Sequence, residues 1–210
     1  MFNLTAVPVP DLTGKTILVT GAGKGIGAEL VRILHARGAS VYAGMHAADA
    51  VEAPPEGVVP LALDVTRQDE VDSAAARISD EVGRLDVLVN NAGTISTIRP
   101  YGSLDPEALM QALEVNVMGV HRMTIAALPL LRKATSGRII NAGTGAATTP
   151  MEGWTAYCTS KAGTQMLTRM MALELAPEGI QAFFLGIPPT DTAMQDKIRS
   201  SGINPISRIP

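Results

Sequence analysis

The chain has 210 residues, which at about 150 residues per domain predicts one domain. Seventeen basic against twenty acidic residues leave a formal charge of −3, which argues against a nucleic-acid partner. Hydrophobic residues make up 46% of the chain and aromatics 3%, so a sizeable core must be built from aliphatic side chains. The single cysteine, Cys158, cannot pair within the chain and fits a reducing compartment. Met1 to Pro10 lacks the basic and apolar segments of an export signal. No run of about 18 apolar residues is present to span a membrane. A cytoplasmic location with no membrane partner is therefore expected.

Short apolar runs at Lys15–Thr20, Ser40–Met45, Val58–Leu63, Asp86–Val89, Arg138–Ala142 and Ile180–Gly186 read as strands buried on both faces. Between them, Ile26–Arg37, Gln68–Val82, Pro106–Arg132 and Ala156–Ala176 read as helices, with Gly38 and Pro177 as stops. Leu167, Met170, Met171 and Leu175 predict a buried stripe on the last of these. The second crossover is poor: Ala53–Gly57 leaves room for little more than a turn or two. The alternation predicts an α/β doubly wound parallel sheet of about six strands with helices on both faces. Ligands then belong beyond the carboxyl ends of the strands, where the strand order reverses.

The first predicted strand runs into Thr20-Gly21-Ala22-Gly23-Lys24-Gly25-Ile26-Gly27. Glycines here allow a tight turn and close approach to a phosphate at the helix N-terminus. Ile26 stands where the ordinary dinucleotide fingerprint needs glycine, and a plain strand-to-helix turn is the alternative. Asp64, Asn90-Asn91-Ala92-Gly93 and Asn141-Ala142-Gly143-Thr144 follow the third, fourth and fifth strands, where ligand contact is expected; each also suits a turn. Tyr157 and Lys161 are four apart on one helix face. A neighbouring ammonium is expected to lower the pKa of the phenol toward the range of general acid–base work. His35, His46 and His121 show no metal-ligand spacing, and no metal is expected.

Together the Thr20–Gly27 loop, Asn90–Gly93 and the Tyr157/Lys161 pair resemble the short-chain dehydrogenase/reductase family, with order and spacing agreeing from about Leu12 to Met194. Asp64-Val65 and Asn116 support the likeness. The resemblance implies a Rossmann-type fold that binds NAD or NADP and moves a hydride between nicotinamide and a carbonyl or secondary alcohol. It implies that Tyr157 exchanges the hydroxyl proton, that Lys161 lowers its pKa and holds the ribose, and that Asn116 supports a proton relay. Thr144 stands where the family has serine, thirteen residues before the tyrosine, and keeps the hydroxyl. Cofactor contacts are implied at Gly21, Gly23, Lys24, Gly25, Ile26, Gly27, His46, Asp64, Val65, Asn91, Ala92, Gly93, Tyr157, Lys161 and Thr192.

Three departures qualify the likeness. Ile187-Pro188-Pro189 replaces the family's Pro-Gly step. Met45 and His46 end the second strand with neither the acid that holds a 2′-hydroxyl nor the arginine that holds a 2′-phosphate, which with Lys24 leans toward NADP(H) over NAD(H). Asn204–Pro210 resembles the lead into one further helix and strand, so a shortened member or a fragment is expected. A homodimer through the helices at Pro106–Arg132 and Ala156–Ala176 is expected to persist, and the family's tetramer is not. The substrate pocket is expected to be partly hydrophobic, with Ile95, Ile98, Met151, Trp154 and Met194, and Cys158 as a packing residue. A cofactor-binding regulatory protein with little turnover is the alternative, and an epimerase or dehydratase the remainder.

Overall fold

The computed structural model describes residues 10–46 and 53–203. Its centre is a six-stranded, wholly parallel sheet in the order β3-β2-β1-β4-β5-β6. The strands are β1 (Thr16–Thr20), β2 (Ser40–Met45), β3 (Val59–Ala62), β4 (Val87–Asn90), β5 (Arg138–Gly143) and β6 (Gln181–Gly186). The chain winds outward from β1 to β3, returns to β4 beside β1, and winds the other way to β6. The reversal falls between β1 and β4, paired from Ile17 with Val87 to Val19 with Val89.

Successive side chains of a strand point to opposite faces, and the two cores divide accordingly. Ile17, Val19, Val41, Ala43 and Val89 face one core, where helix α1 (Gly25–Ala36) contributes Val31. Leu18, Tyr42, Leu88 and Ile139 face the other, filled by Val71 and Ile78 of α2 (Gln68–Glu81), Met123 and Leu131 of α4 (Gly119–Leu131), and Met171 of α5 (Thr155–Glu174). Such double-sided burial explains why the strands read as unbroken apolar runs. At the edge, Phe183 and Leu185 of β6 are 46% and 57% exposed.

Three expectations are corrected. The predicted helix Pro106–Arg132 is α3 (Pro106–Leu113), a π-helical segment over Glu114–Met118, then α4. In the π segment the Gly119 N–H donates to the Glu114 carbonyl five residues back, an inserted residue that the helical periodicity alone does not announce. The stripe expected on α5 holds except at one residue. Met171 is buried and Leu167 and Leu175 pack against the same core, but Met170 is 41% exposed, and the helix also buries the hydroxyls of Ser160, Thr164 and Thr168. A helix over Ala193–Ser201 (α6), absent from the sequence reading, buries Gln195 and Ile198. The described part of the second crossover is a turn closed by the Val58 N–H on the Pro55 carbonyl at 3.1 Å. Asn204–Pro210, read as the lead into further elements, lies outside the described residues.

Candidate active site

The loop after β1 can be nothing but glycine at two positions. A Cβ on Gly27 would sit 2.2 Å from the Gly21 carbonyl oxygen, and one on Gly21 would sit 2.7 Å from the Cα of Ala92. Gly21 and Gly25 also adopt positive φ, which side chains rarely tolerate. The Asn91 amide donates to the Thr20 and Gly21 carbonyls at 3.0 and 3.1 Å. The Thr20 hydroxyl accepts from the N–H groups of Asn91 and Ala92 at 3.1 and 3.0 Å. These bonds join the ends of β1 and β4 across the reversal. Helix α1 starts there with no side-chain cap and no acid in its first turn, so its N-terminal N–H groups and positive dipole end suit an anion. A cradle that a Cβ would fill, set against an uncapped helix, fits the pyrophosphate of a dinucleotide.

The loop opens into a cleft of about 900 Å³. Its walls gather Gly21, Lys24, Gly25, Ile26 and Gly27 with His46, Asp64 and Val65 at one end. Asn91, Ala92 and Gly93 line its middle, and Thr144, Tyr157 and Lys161 its other end, while Thr192 lines it beside the glycine loop. Of the predicted cofactor, catalytic and pocket residues, Gly23, Ile95, Ile98 and Asn116 are not in its wall. The Thr192 methyl lies 3.5 Å from where a Cβ on Gly25 would be, so the segment before α6 lies over the glycine loop. The sequence reading missed Gln111, Glu114, Gln195 and Ile198, which also line the cleft. Gln195 and Ile198 lie on the unread α6; Gln111 and Glu114, on α3 and the π segment, carry no local motif.

At the first end, the Asp64 carboxylate accepts from the Thr66 N–H and hydroxyl at 2.9 and 2.8 Å, and its other oxygen is 3.5 Å from His46 Nε2. Burial pushes the Asp64 carboxyl up, but Thr66, His46 and Arg67 together hold it below the usual range.

Asn90 and Asn141, placed at the ligand edge by the sequence reading, instead turn inward. The Asn90 amide donates to Asn141 Oδ1 at 2.8 Å, and the Asn141 amide donates to the Thr168 hydroxyl at 2.8 Å. They are struts between the sheet and α5. A strand buried on both faces gives no alternation from which to tell an inward asparagine from an outward one.

At the other end, Tyr157 and Lys161 share one face of α5, and the Thr144 side chain lies beside the phenol in the same cleft wall. The expected lowering of the Tyr157 pKa is not found. Burial pushes the phenol up to about 12, against the smaller opposing influence of the neighbouring Thr144 side chain. Lys161 donates to the Ala142 carbonyl at 2.9 Å, with Nζ 5.9 Å from the Tyr157 ring centre, and burial pushes it down to about 8. Spacing on the helix was read correctly, but a flexible stem took the ammonium to a backbone acceptor instead. Beside them Ile95, Trp154, Tyr157 and Ile198 form an apolar cluster with Ile98, Met151, Cys158 and Met194 against it. The Trp154 and Tyr157 rings meet edge to face, 5.7 Å between centres.

Asn116 is fully buried in the π segment. Its Oδ1 accepts from the Thr94 N–H at 2.9 Å, and its amide donates to the Thr94 carbonyl and the Ser160 hydroxyl, both at 2.8 Å. Among the described residues no cluster of histidine, cysteine or acidic side chains could hold a metal ion, and no helix is long and apolar enough to cross a membrane.

Comparison with known proteins agrees with this geometry. A family model described as short chain dehydrogenase matches residues 15–202. L-xylulose reductase of Homo sapiens is 34% identical over 174 residues, 81% of this chain and 69% of that protein. A short chain dehydrogenase from Burkholderia cenocepacia, solved with NADP, is 33% identical with a TM-score of 0.80, covering 89% of this chain and 77% of that one. The 3-ketoacyl-(acyl-carrier-protein) reductase of Brucella melitensis, solved with NADH, is 27% identical with a TM-score of 0.82, covering 92% and 86%. The sheet order, the glycine cradle and these matches establish that the chain belongs to the short-chain dehydrogenases, NAD(P)-dependent oxidoreductases acting on small carbonyl or alcohol substrates.

Proposed function

We propose that this enzyme interconverts a small carbonyl compound and its secondary alcohol, using NADP(H) in preference to NAD(H), with Tyr157 as the general acid and base. The bound cofactor would supply or accept the hydride. Gly21 to Gly27 and the α1 N-terminus would hold its pyrophosphate, with Asn91 to Gly93 and Thr192 along its length. Asp64 and Val65 would take the adenine, while Lys24 and His46, with no carboxylate at the end of β2, favour a 2′-phosphate. One domain carries both the cofactor and the catalytic groups.

The observation that carries the reading is the meeting of Thr144, Tyr157 and Lys161 on one wall of the cleft that begins at the glycine loop. The Thr144 hydroxyl orients the substrate oxygen. The phenol of Tyr157 gives that oxygen a proton in reduction and takes it back in oxidation. Lys161 lies close enough to favour phenolate once its ammonium leaves the Ala142 carbonyl, and Asn116 supports the relay behind it. The apolar cluster around Trp154 supports a substrate with a hydrophobic body.

Exposed Met118, Ile125, Met166, Met170 and Leu173 on and beside α4 and α5 support a homodimer through these helices. The lone, partly buried cysteine supports a cytoplasmic setting. The raised phenol and the lysine resting on a carbonyl also support a second reading, a cofactor-binding protein with little turnover. NADPH oxidation with a panel of ketones, quinones and aldehydes separates the two. Under the enzymatic reading Tyr157→Phe lowers kcat by about a hundredfold or more while NADPH still binds. Turnover unchanged in that variant overturns the role of Tyr157, and tight NADPH binding with no turnover by the parent supports the second reading.

A further inference from the structure

Helix α5 presents three hydroxyls, Ser160, Thr164 and Thr168, on its buried face at intervals of one turn. Each has a distinct duty. Ser160 accepts from the side-chain amide of Asn116 and donates to the Tyr157 carbonyl at 2.9 Å. Thr168 accepts from Asn141 and donates to the Thr164 carbonyl at 2.7 Å. Thr164 reaches the main-chain carbonyl of Asn116 at 2.8 Å and the Ser160 carbonyl at 2.9 Å. A hydroxyl has one proton, so these two acceptors share it. The Asn116 carbonyl lies in a π segment, where the shifted pairing takes carbonyls out of the ordinary ladder.

Asn116 is also committed through its side chain. Both amide protons are used, on Thr94 and Ser160, and Oδ1 accepts from Thr94. A Cβ on Gly93 would lie 3.2 Å from Asn116 Oδ1 and 3.6 Å from Lys161 Nζ, so the asparagine and the ammonium converge on one glycine. Thr164 stands three residues beyond Lys161 on the same helix. Thr164 thereby ties the π segment that carries Asn116 to the helix that carries Lys161.

We propose that Thr164 is a positioning residue for the reaction, its hydroxyl fixing Asn116 through the main-chain carbonyl against Lys161. The inference rests on the catalytic reading above for its meaning, but its test does not depend on turnover. The valine variant keeps the shape of threonine and removes the proton that the carbonyl accepts. Thr168→Val is the control, because it removes an equally buried hydroxyl one turn away that serves Asn141.

The measurement is the titration of the Lys161 amine, followed by NMR of the lysine Nζ groups and assigned with Lys161→Met. Thr164→Val is expected to move the Lys161 midpoint by about half a pH unit or more, since Asn116, released at its carbonyl, shifts its side-chain oxygen relative to the ammonium. Thr164→Ser should restore it, and Thr168→Val should leave it in place while lowering the melting temperature. With diacetyl and NADPH, the alkaline limb of the kcat profile should move with the midpoint, and kcat should fall about tenfold with KM for NADPH unchanged. If Thr164→Val leaves the Lys161 midpoint where it was, or if Thr168→Val moves it equally, the proposal is wrong. Should Thr164→Val fail to fold, Thr164→Ala, which removes the same hydroxyl with a smaller side chain, must move the midpoint or the proposal is again wrong. A failure of the catalytic reading shows separately, as undiminished turnover in Tyr157→Phe.

Discussion

The two ends of the cleft are held by different means. At the cofactor end the backbone does the work: Gly21 and Gly27 allow β1, β4 and α1 to approach so closely that no Cβ fits between them. At the catalytic end the work falls to buried side-chain bonds. Asn90, Asn141 and Thr168 brace β4 and β5 against α5, and Asn116, Ser160 and Thr164 brace the π segment. Backbone crowding admits one residue type, whereas a hydrogen-bond network accepts any side chain that keeps the donor and the reach. The catalytic end can therefore carry threonine at 144, while the glycine loop has no such freedom.

The largest effect should come from breaking the cofactor end. Gly27→Val puts two methyls beyond a Cβ already 2.2 Å from the Gly21 oxygen, so backbone must move. We expect destabilisation of about 3 kcal/mol or more and loss of NADPH binding, measured by denaturant unfolding and calorimetry.

Breaking the side-chain end should cost less. Asn141→Leu leaves the Asn90 amide without its oxygen and Thr168 without its donor. About 1–3 kcal/mol of stability should be lost, with NADPH affinity nearly retained. An equal loss of cofactor binding would erase the distinction between the two ends.

The smallest effect is a pH dependence. Lys161 titrates near 8 in the folded chain against an ordinary 10.5, so between these values the unfolded chain binds more protons and stability rises with pH. The burial penalty of the ammonium is fully present below about pH 8. Tyr157 acts oppositely: with its pKa raised from 10.0 to about 12, it makes stability fall with pH across that window. Tyr42, also pushed up to about 12, adds to the fall. Lys161→Met should abolish the rise between pH 8 and 10, worth on the order of 2 kcal/mol, and leave the fall above it. A parent protein whose stability is flat over that range would show that Lys161 is not desolvated as described.

How much of this was legible follows from the same contrast. The glycine loop and Asn91–Gly93 could be read because their spacing records backbone geometry, and the strands because burial on both faces leaves apolar runs. The inward turn of Asn90 and Asn141 could not be read, since neighbouring asparagines at a strand end look alike until the register is known. Nor could the destination of the Lys161 ammonium, which depends on where the Ala142 carbonyl lies. Helix α6 went unread because its charged sequence hides two inward residues, Gln195 and Ile198, three apart.

The π segment has a consequence for how this chain can be altered. The wide turn absorbs one extra residue, so removing one from Glu114–Met118 would restore an unbroken α-helix and leave the helix beyond it in register. Met123, Ala127 and Leu131 would keep their places against the sheet. The extra residue thus belongs to the site alone: excising it would unseat Asn116 and spare the core.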